Sequence, residues 1–218
     1  MAINKKINDR FHYNNAKKTN KNFMYNDLRR ANCYNSEFSG SNFNFASFRG
    51  AHFKSCDFFG CTFKWAEFIG SNLKKSKFKK AEFKNVVFEG VNLEGVDFDG
   101  AKFKNVIFLN TDISKAVNLK FKDEDIKILD KFPNIEISDN LKASLDKAMD
   151  NEYIKRSRVL DTKEGKLNTI SIMRLKENFN EKSLVQGLKI ASERIDRDFC
   201  TLSYLIKAIE RYREEGLL

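Results

Sequence analysis

From Phe23 onward, every fifth residue of this chain is apolar. The column runs Phe23, Leu28, Cys33, Phe38, Phe43, Phe48, Phe53, Phe58, Phe63, Phe68, Leu73, Phe78, Phe83, Phe88, Leu93, Phe98, Phe103, Phe108, Ile113. Fourteen of these nineteen are Phe, and the register never slips. An α-helix repeats every 3.6 residues and a strand every two, so a period of five belongs to neither. A fixed short period held this long is the mark of a stacked repeat architecture.

A second column lies two residues before the first. From Ala31 it holds only small or β-branched residues, among them Ser36, Ser41, Cys56, Cys61, Ala66, Ser76, Val86 and Thr111. One large and one small side chain per five therefore point inward together, and the small one leaves room for its neighbour's ring. A third column, two residues after the first, carries Gly at 40, 50, 60, 70, 90, 95 and 100. Glycine there fits a corner with unusual dihedrals. A single five-residue unit buries too little to offset the entropy of ordering it, so stability has to come from stacking units on one another.

The units AHFKS at 51–55, AEFIG at 66–70, SNLKK at 71–75, AEFKN at 81–85 and VNLEG at 91–95 carry a further likeness. They resemble the pentapeptide-repeat family, whose motif is roughly A-(D/N)-(L/F)-x-x. The resemblance covers residues 21–118. It implies a right-handed quadrilateral β-helix with four units per square coil, here of nearly five coils. The fold class expected is thus a β-solenoid plus α: an N-terminal cap segment over 1–20, the β-helix over 21–118, and a helical capping or interaction domain over 119–218.

With twenty residues per coil, positions twenty apart stack on one face about 4.8 Å from each other. On the first face the corner column begins Tyr25, Phe45, Trp65 and continues Asn85, Asn105, while the column just before it holds Lys64, Lys84 and Lys104. These aromatic and lysine ladders are the candidate partner-binding residues. The aromatic ladder either meets a partner or is covered by the N-terminal segment, which offers Ile7, Phe11 and Tyr13. The second face turns Ile69, Val87, Ile107 and Leu109 outward, an apolar patch expected to dock the C-terminal region. Lys74, Lys75, Lys77, Lys79 and Lys80 on the third and fourth faces are a candidate anion-binding cluster. Ammonium groups about 5 Å apart in water repel by only about 0.8 kcal/mol, so a lysine ladder does not by itself demand an anion. Nucleic-acid contact is the lesser expectation.

Charge separates the chain into parts. The net charge is +10, with an excess of +4 in residues 1–20, +5 in 21–118 and +1 in 119–218. No apolar run is long enough for a membrane span, and the start MAINKKINDR lacks the apolar block of a secretory signal. A cytoplasmic protein is expected. Cys33, Cys56, Cys61 and Cys200 form no disulfide framework, and Cys56 and Cys61 belong to the inward small column.

Beyond Ile113 the period ends, and the composition turns to that of helices, expected near 122–131, 139–150, 150–160, 166–178 and 181–214. The last shows an apolar stripe of Leu184, Leu188, Ala191, Ile195, Phe199, Leu202, Ile206 and Ile209, with one extra residue between Ile195 and Phe199. It reads as one long amphipathic helix that pairs with a second copy as a homodimer or packs in a bundle within the chain.

No chemical motif stands out. There is no P-loop, G-x-S-x-G, HExxH or CxxC, and only His12 and His52 are present, so no catalytic residue, metal site or cofactor is expected. The reading is a non-enzymatic interaction or scaffold protein with an unknown protein partner. The resemblance also extends to quinolone-resistance relatives, which implies topoisomerase (gyrase) protection by DNA mimicry. Mimicry needs an acidic surface, and the positive charge of the repeat region opposes it, although Glu37, Asp57, Asp97 and Asp99 share the fourth face.

Overall fold

The computed structural model describes residues 11–218 and divides into two compact units, one ending at Lys131 and the other spanning Phe132–Leu218. The first is a parallel β-solenoid of about six turns. Its strands are β1 (His12–Asn14), β2 (Asn32–Tyr34), β3 (His52–Lys54), β4 (Thr62–Lys64), β5 (Glu67–Ile69), β6 (Glu82–Lys84), β7 (Val87–Glu89), β8 (Lys102–Lys104), β9 (Val106–Leu109) and β10 (Ile126–Leu129). They make three sheets, ordered β1-β2-β3, β4-β6-β8 and β10-β9-β7-β5. The fourth face has bridges only, from Lys17↔Glu37 through Asp57 and Lys77 to Asp97↔Val117. Phe63 pairs with Phe83 and Phe83 with Phe103, so each turn takes twenty residues.

The core follows from the two inward columns. Phe43, Phe63, Phe83 and Phe103 stack nearly parallel, with centroids 5.4, 5.0 and 5.3 Å apart. Neighbouring columns meet edge-on, as Phe58 does Phe63 at 5.8 Å and 67°. Offset and edge-to-face contacts suit the ring quadrupole. The small column also bonds one turn to the next. Ser76 Oγ donates to the Phe53 carbonyl at 2.7 Å and accepts from the Cys56 N–H at 2.9 Å. Ser36, Ser41 and Thr111 repeat the arrangement in other turns.

The residue just before each centre decides between strand and turn at several positions. The side chains of Asn42, Asp57, Asn72, Asn92 and Asp97 accept from the N–H two residues on, closing a local turn. His52, Thr62, Glu82, Val87 and Lys102 make no such bond, and strands form there.

The solenoid is longer at both ends than the nearly five coils expected. Residues 11–20, assigned from sequence to the cap, build the first coil: β1 pairs with β2, and Tyr13 takes an inward position against Phe38 at 6.2 Å. Lys18 occupies the next inward position, its Nζ 4.8 Å from the Tyr13 ring. That lysine interrupts the apolar column and hides the first turn from a periodicity search. The remainder of the expected cap, with Ile7, lies outside the described residues. At the other end, the helix expected near 122–131 is instead a short 3-10 turn, Asp123–Asp125, and strand β10, which pairs Ile126↔Val106 and Leu129↔Leu109. The open edge of β9 supplies hydrogen-bonding partners that a lone four-residue segment could not find in a helix.

The second unit holds α1 (Asp139–Met149), α2 (Glu152–Ser157), α3 (Thr169–Asn178), α4 (Glu181–Arg194) and α5 (Leu202–Glu214). Ser138 caps α1, accepting from Leu141 N–H. The single long helix expected over 181–214 is two helices, α4 and α5. Ile195 leaves helical geometry at ψ 116°. The Asn151 side-chain amide takes the carbonyls of Ser192 and Ile195, at 3.1 and 2.9 Å, while its oxygen caps α2. The extra residue in the apolar stripe marks this break. α4 packs on α1 and on α5, and a Cβ on Gly187 would lie 2.6 Å from Ile209 Cγ2, so α4 and α5 pack closely there. Among the described residues no helix is long and apolar enough to cross a membrane.

Candidate functional site

The first face is the outer surface of the β4-β6-β8 sheet. Strand alternation turns Phe63, Phe83 and Phe103 inward and the residues on either side outward. Lys64, Lys84 and Lys104 end the three strands, are exposed, and pair in register. No ion pair among the described residues brings a carboxylate to any of the three. The sheet's one outward pair, Glu82 to Lys102 at 3.0 Å, lies in the neighbouring column.

The corner beside this sheet holds Tyr25, Phe45 and Trp65. All three have left-handed backbone, with φ of 61°, 62° and 56°, the conformation that Gly40, Gly60 and Gly100 adopt at equivalent corners. For a residue with a Cβ this costs about 1–2 kcal/mol, and for bulky side chains it is uncommon. The Tyr25 and Phe45 rings stack at 4.8 Å and 8°, and Lys64 Nζ lies 5.9 Å from the Phe45 centroid. Tyr25 is 50% exposed, Phe45 only 8%, and Trp65 is half-buried. Phe11 and Tyr13, proposed from sequence to cover this corner, pack against the core instead. Further down, Asn105 Nδ2 donates to Asn85 Oδ1 at 3.0 Å, an amide ladder continuing the aromatic one. The strain at these corners was overlooked in the sequence, yet its signal was present: the aromatics share their column with the glycines.

Two of the five lysines in the cluster on the third and fourth faces meet carboxylates. Lys74 Nζ reaches Glu94 at 2.8 Å and Lys79 Nζ reaches Asp97 at 3.2 Å. The hydrogen bond from Lys74 holds the Glu94 carboxyl below its ordinary range. At Asp97 burial opposes ionisation, but bonds from Asn118, the Asp99 N–H and Lys79 outweigh it and lower its pKa. Lys80 Nζ sits 5.6 Å from the ring of exposed Phe59. Lys75 and Lys77 are exposed. Sequence pattern revealed these five as a cluster but not their partners, which lie up to a full turn along the chain. Of the fourth-face acids, Glu37 pairs with Lys17 at 3.4 Å and Asp97 with Lys79, so that strip mixes both signs.

Of the stripe expected to form a dimer or bundle, Leu184, Leu188, Ile195, Phe199, Leu202, Ile206 and Ile209 are all buried in the single chain. On the second face Ile107 and Leu109 are fully buried and Ile69 and Val87 half-buried. The helical unit has a cavity of about 250 Å³ lined by Ile135, Met173, Lys176 and Glu177. Its charged groups are engaged, Lys176 with the Glu136 carbonyl and Glu177 with Arg174.

Burial pushes the Cys33 thiol up to about 11 and those of Cys56 and Cys61 up to about 12, so these sulfurs are poor nucleophiles. Among the described residues no group of three or more His, Cys, Asp or Glu side chains is placed to hold a metal.

The family model for pentapeptide repeats matches in eight copies, over residues 27–64, 56–95, 66–105 and 81–117, less than half of the chain. No curated protein sequence matches. Among solved structures, a pentapeptide repeat protein (Rfr23) from the cyanobacterium Cyanothece 51142 is 17% identical over 45% of this chain and 88% of its own, with TM-score 0.31. HetL, involved in heterocyst differentiation regulation in the cyanobacterium Nostoc sp. strain PCC 7120, is 18% identical over 49% of this chain and 48% of its own, TM-score 0.26. QnrB1, a plasmid-mediated fluoroquinolone resistance protein, is 19% identical over 62% and 89%, TM-score 0.23. The helical unit falls outside the family match.

Proposed function

We propose that this chain, whose residues 27–117 match the family model for pentapeptide repeats, is a non-enzymatic interaction protein, a stack of coils that presents the outward columns of its first face to a macromolecular partner. One observation carries the reading: Lys64, Lys84 and Lys104 align on one sheet with no carboxylate partner among the described residues, beside aromatics held at a conformational cost. The coil interior, filled by Phe rings, leaves no room for a reacting group.

A crosslinking pull-down from the native cell tests this. Wild type and a Lys163→Glu control in the helical unit should capture the same partner, and Trp65→Ala and Lys84→Glu should lose it. If neither change alters what is captured, the first face is not the binding surface. Topoisomerase protection is the weaker reading, since Glu37 and Asp97 are paired with lysines. Gyrase supercoiling, with and without quinolone, should be unaffected by micromolar protein.

A further inference from the structure

The first face narrows the partner to a chemical class. Lys64, Lys84 and Lys104 rise from strands in register, so their Cα atoms form a line along the coil axis with steps of about 4.8 Å. Some other lysines of the stack meet carboxylates of an adjacent turn, as Lys17 does Glu37, Lys74 Glu94 and Lys79 Asp97, whereas these three share one sheet and are aligned in register without one among the described residues. The line also has ends. Above it stands Asn44, whose side-chain oxygen accepts from the Lys64 N–H at 2.6 Å. Below it, one turn on from Lys104, come Asp123, Glu124 and Asp125, which lead into β10 and its pairing of Ile126 with Val106. Along one side runs the corner column of rings and amides, and the two columns meet at the adjacent residues Lys64 and Trp65.

A ligand laid along this track meets positive charge on one flank and flat π and amide groups on the other. An acidic peptide would satisfy the lysines but has no use for the ring corner. A duplex is read by an element that enters a groove, which a flat sheet face does not provide. A single strand brings one anionic charge per nucleotide and a π face beside each, the pairing that cationic grooves with aromatic platforms take up. We propose that this track binds single-stranded nucleic acid, with phosphates along Lys64, Lys84 and Lys104 and a base against Trp65. The inference rests on the interaction reading above and names its ligand.

The test uses the full chain with labelled oligothymidylate and oligouridylate, read by anisotropy across a salt series. Three phosphate contacts on a single strand give a slope of log K against log salt of about −2. Combining Lys64→Gln, Lys84→Gln and Lys104→Gln should bring the slope near zero and weaken binding by about tenfold or more. Trp65, the only tryptophan, reports directly. Its fluorescence should be quenched by the oligonucleotides and not by polyglutamate or inorganic phosphate. Trp65→Phe should keep the affinity and Trp65→Ala weaken it by about tenfold, since a stacked base contributes measurably to affinity. Circular dichroism establishes that each variant is folded. Binding of polyglutamate alone, lost in the triple variant, overturns the nucleic-acid inference and leaves the interaction reading standing. Duplex binding as tight as single-strand binding, with Trp65 fluorescence unchanged, also overturns it. No binding of any probe, together with unaltered pull-downs by Lys84→Glu, ends both.

Discussion

Ser76 shows how much rests on single small residues in the coil stack. Sequence pattern explains its size, because a ring needs the space. It does not reveal that the hydroxyl ties the Phe53 carbonyl and the Cys56 N–H across a turn. Ser76→Ala keeps the space and strands both buried groups. It should destabilise the protein by about 1–3 kcal/mol, seen as a lower denaturant midpoint, and an unchanged midpoint would refute the assignment. The buried thiols give a pH signature. Their ordinary value is 9.0, and burial raises Cys33 to about 11 and Cys56 and Cys61 to about 12. Above pH 9 the unfolded chain loses these protons while the folded chain keeps them, so the unfolded state binds fewer. The stabilisation is therefore complete below pH 9 and is lost as pH rises to about 12. Melting temperature should fall over that window, and less so when Cys33, Cys56 and Cys61 are all replaced by Ala. Thiol reagents at neutral pH should leave all three untouched until the protein unfolds.

At the scale of elements, the strands were legible and the helix boundaries less so. A strand in this coil needs only its own five-residue pattern and a matching strand in the next turn. α4 and α5 read as one helix because the apolar stripe runs through both. The break depends on Asn151, more than forty residues away, taking the carbonyls at the end of α4. Once separated, the two helices pack closely at Gly187. Gly187→Ala gains helix propensity of about 1 kcal/mol, but its Cβ would lie 2.6 Å from Ile209 Cγ2. Overpacking of this kind costs about 1–3 kcal/mol. We expect a net loss of thermal stability; a raised melting temperature would show that the helices separate freely there. β10 was misread for a related reason: IKIL has no strong local preference, and the open edge of β9 chose for it.

For the whole molecule, the main question is what the C-terminal stripe does. Leu188 is fully buried in one chain, with Leu184 and Ile209. Leu188→Glu should therefore abolish much of the helical circular dichroism signal. If the mutant instead keeps that signal and only its mass by light scattering halves, the stripe is a dimer interface. The candidate site was partly legible. The lysine and aromatic columns were readable once a turn was taken as twenty residues. Which lysines are compensated was not, because Lys74 with Glu94 and Lys79 with Asp97 pair across turns through side-chain reach rather than pattern. By itself the sequence determined the coil, its inward columns and its corners, because these repeat in every unit and need only nearest neighbours. Only the tertiary structure decided the number of turns, the break between α4 and α5, and which lysines meet a carboxylate of the next turn. Each of those depends on contacts between residues far apart in the chain, and contacts made at one place only leave no period to read.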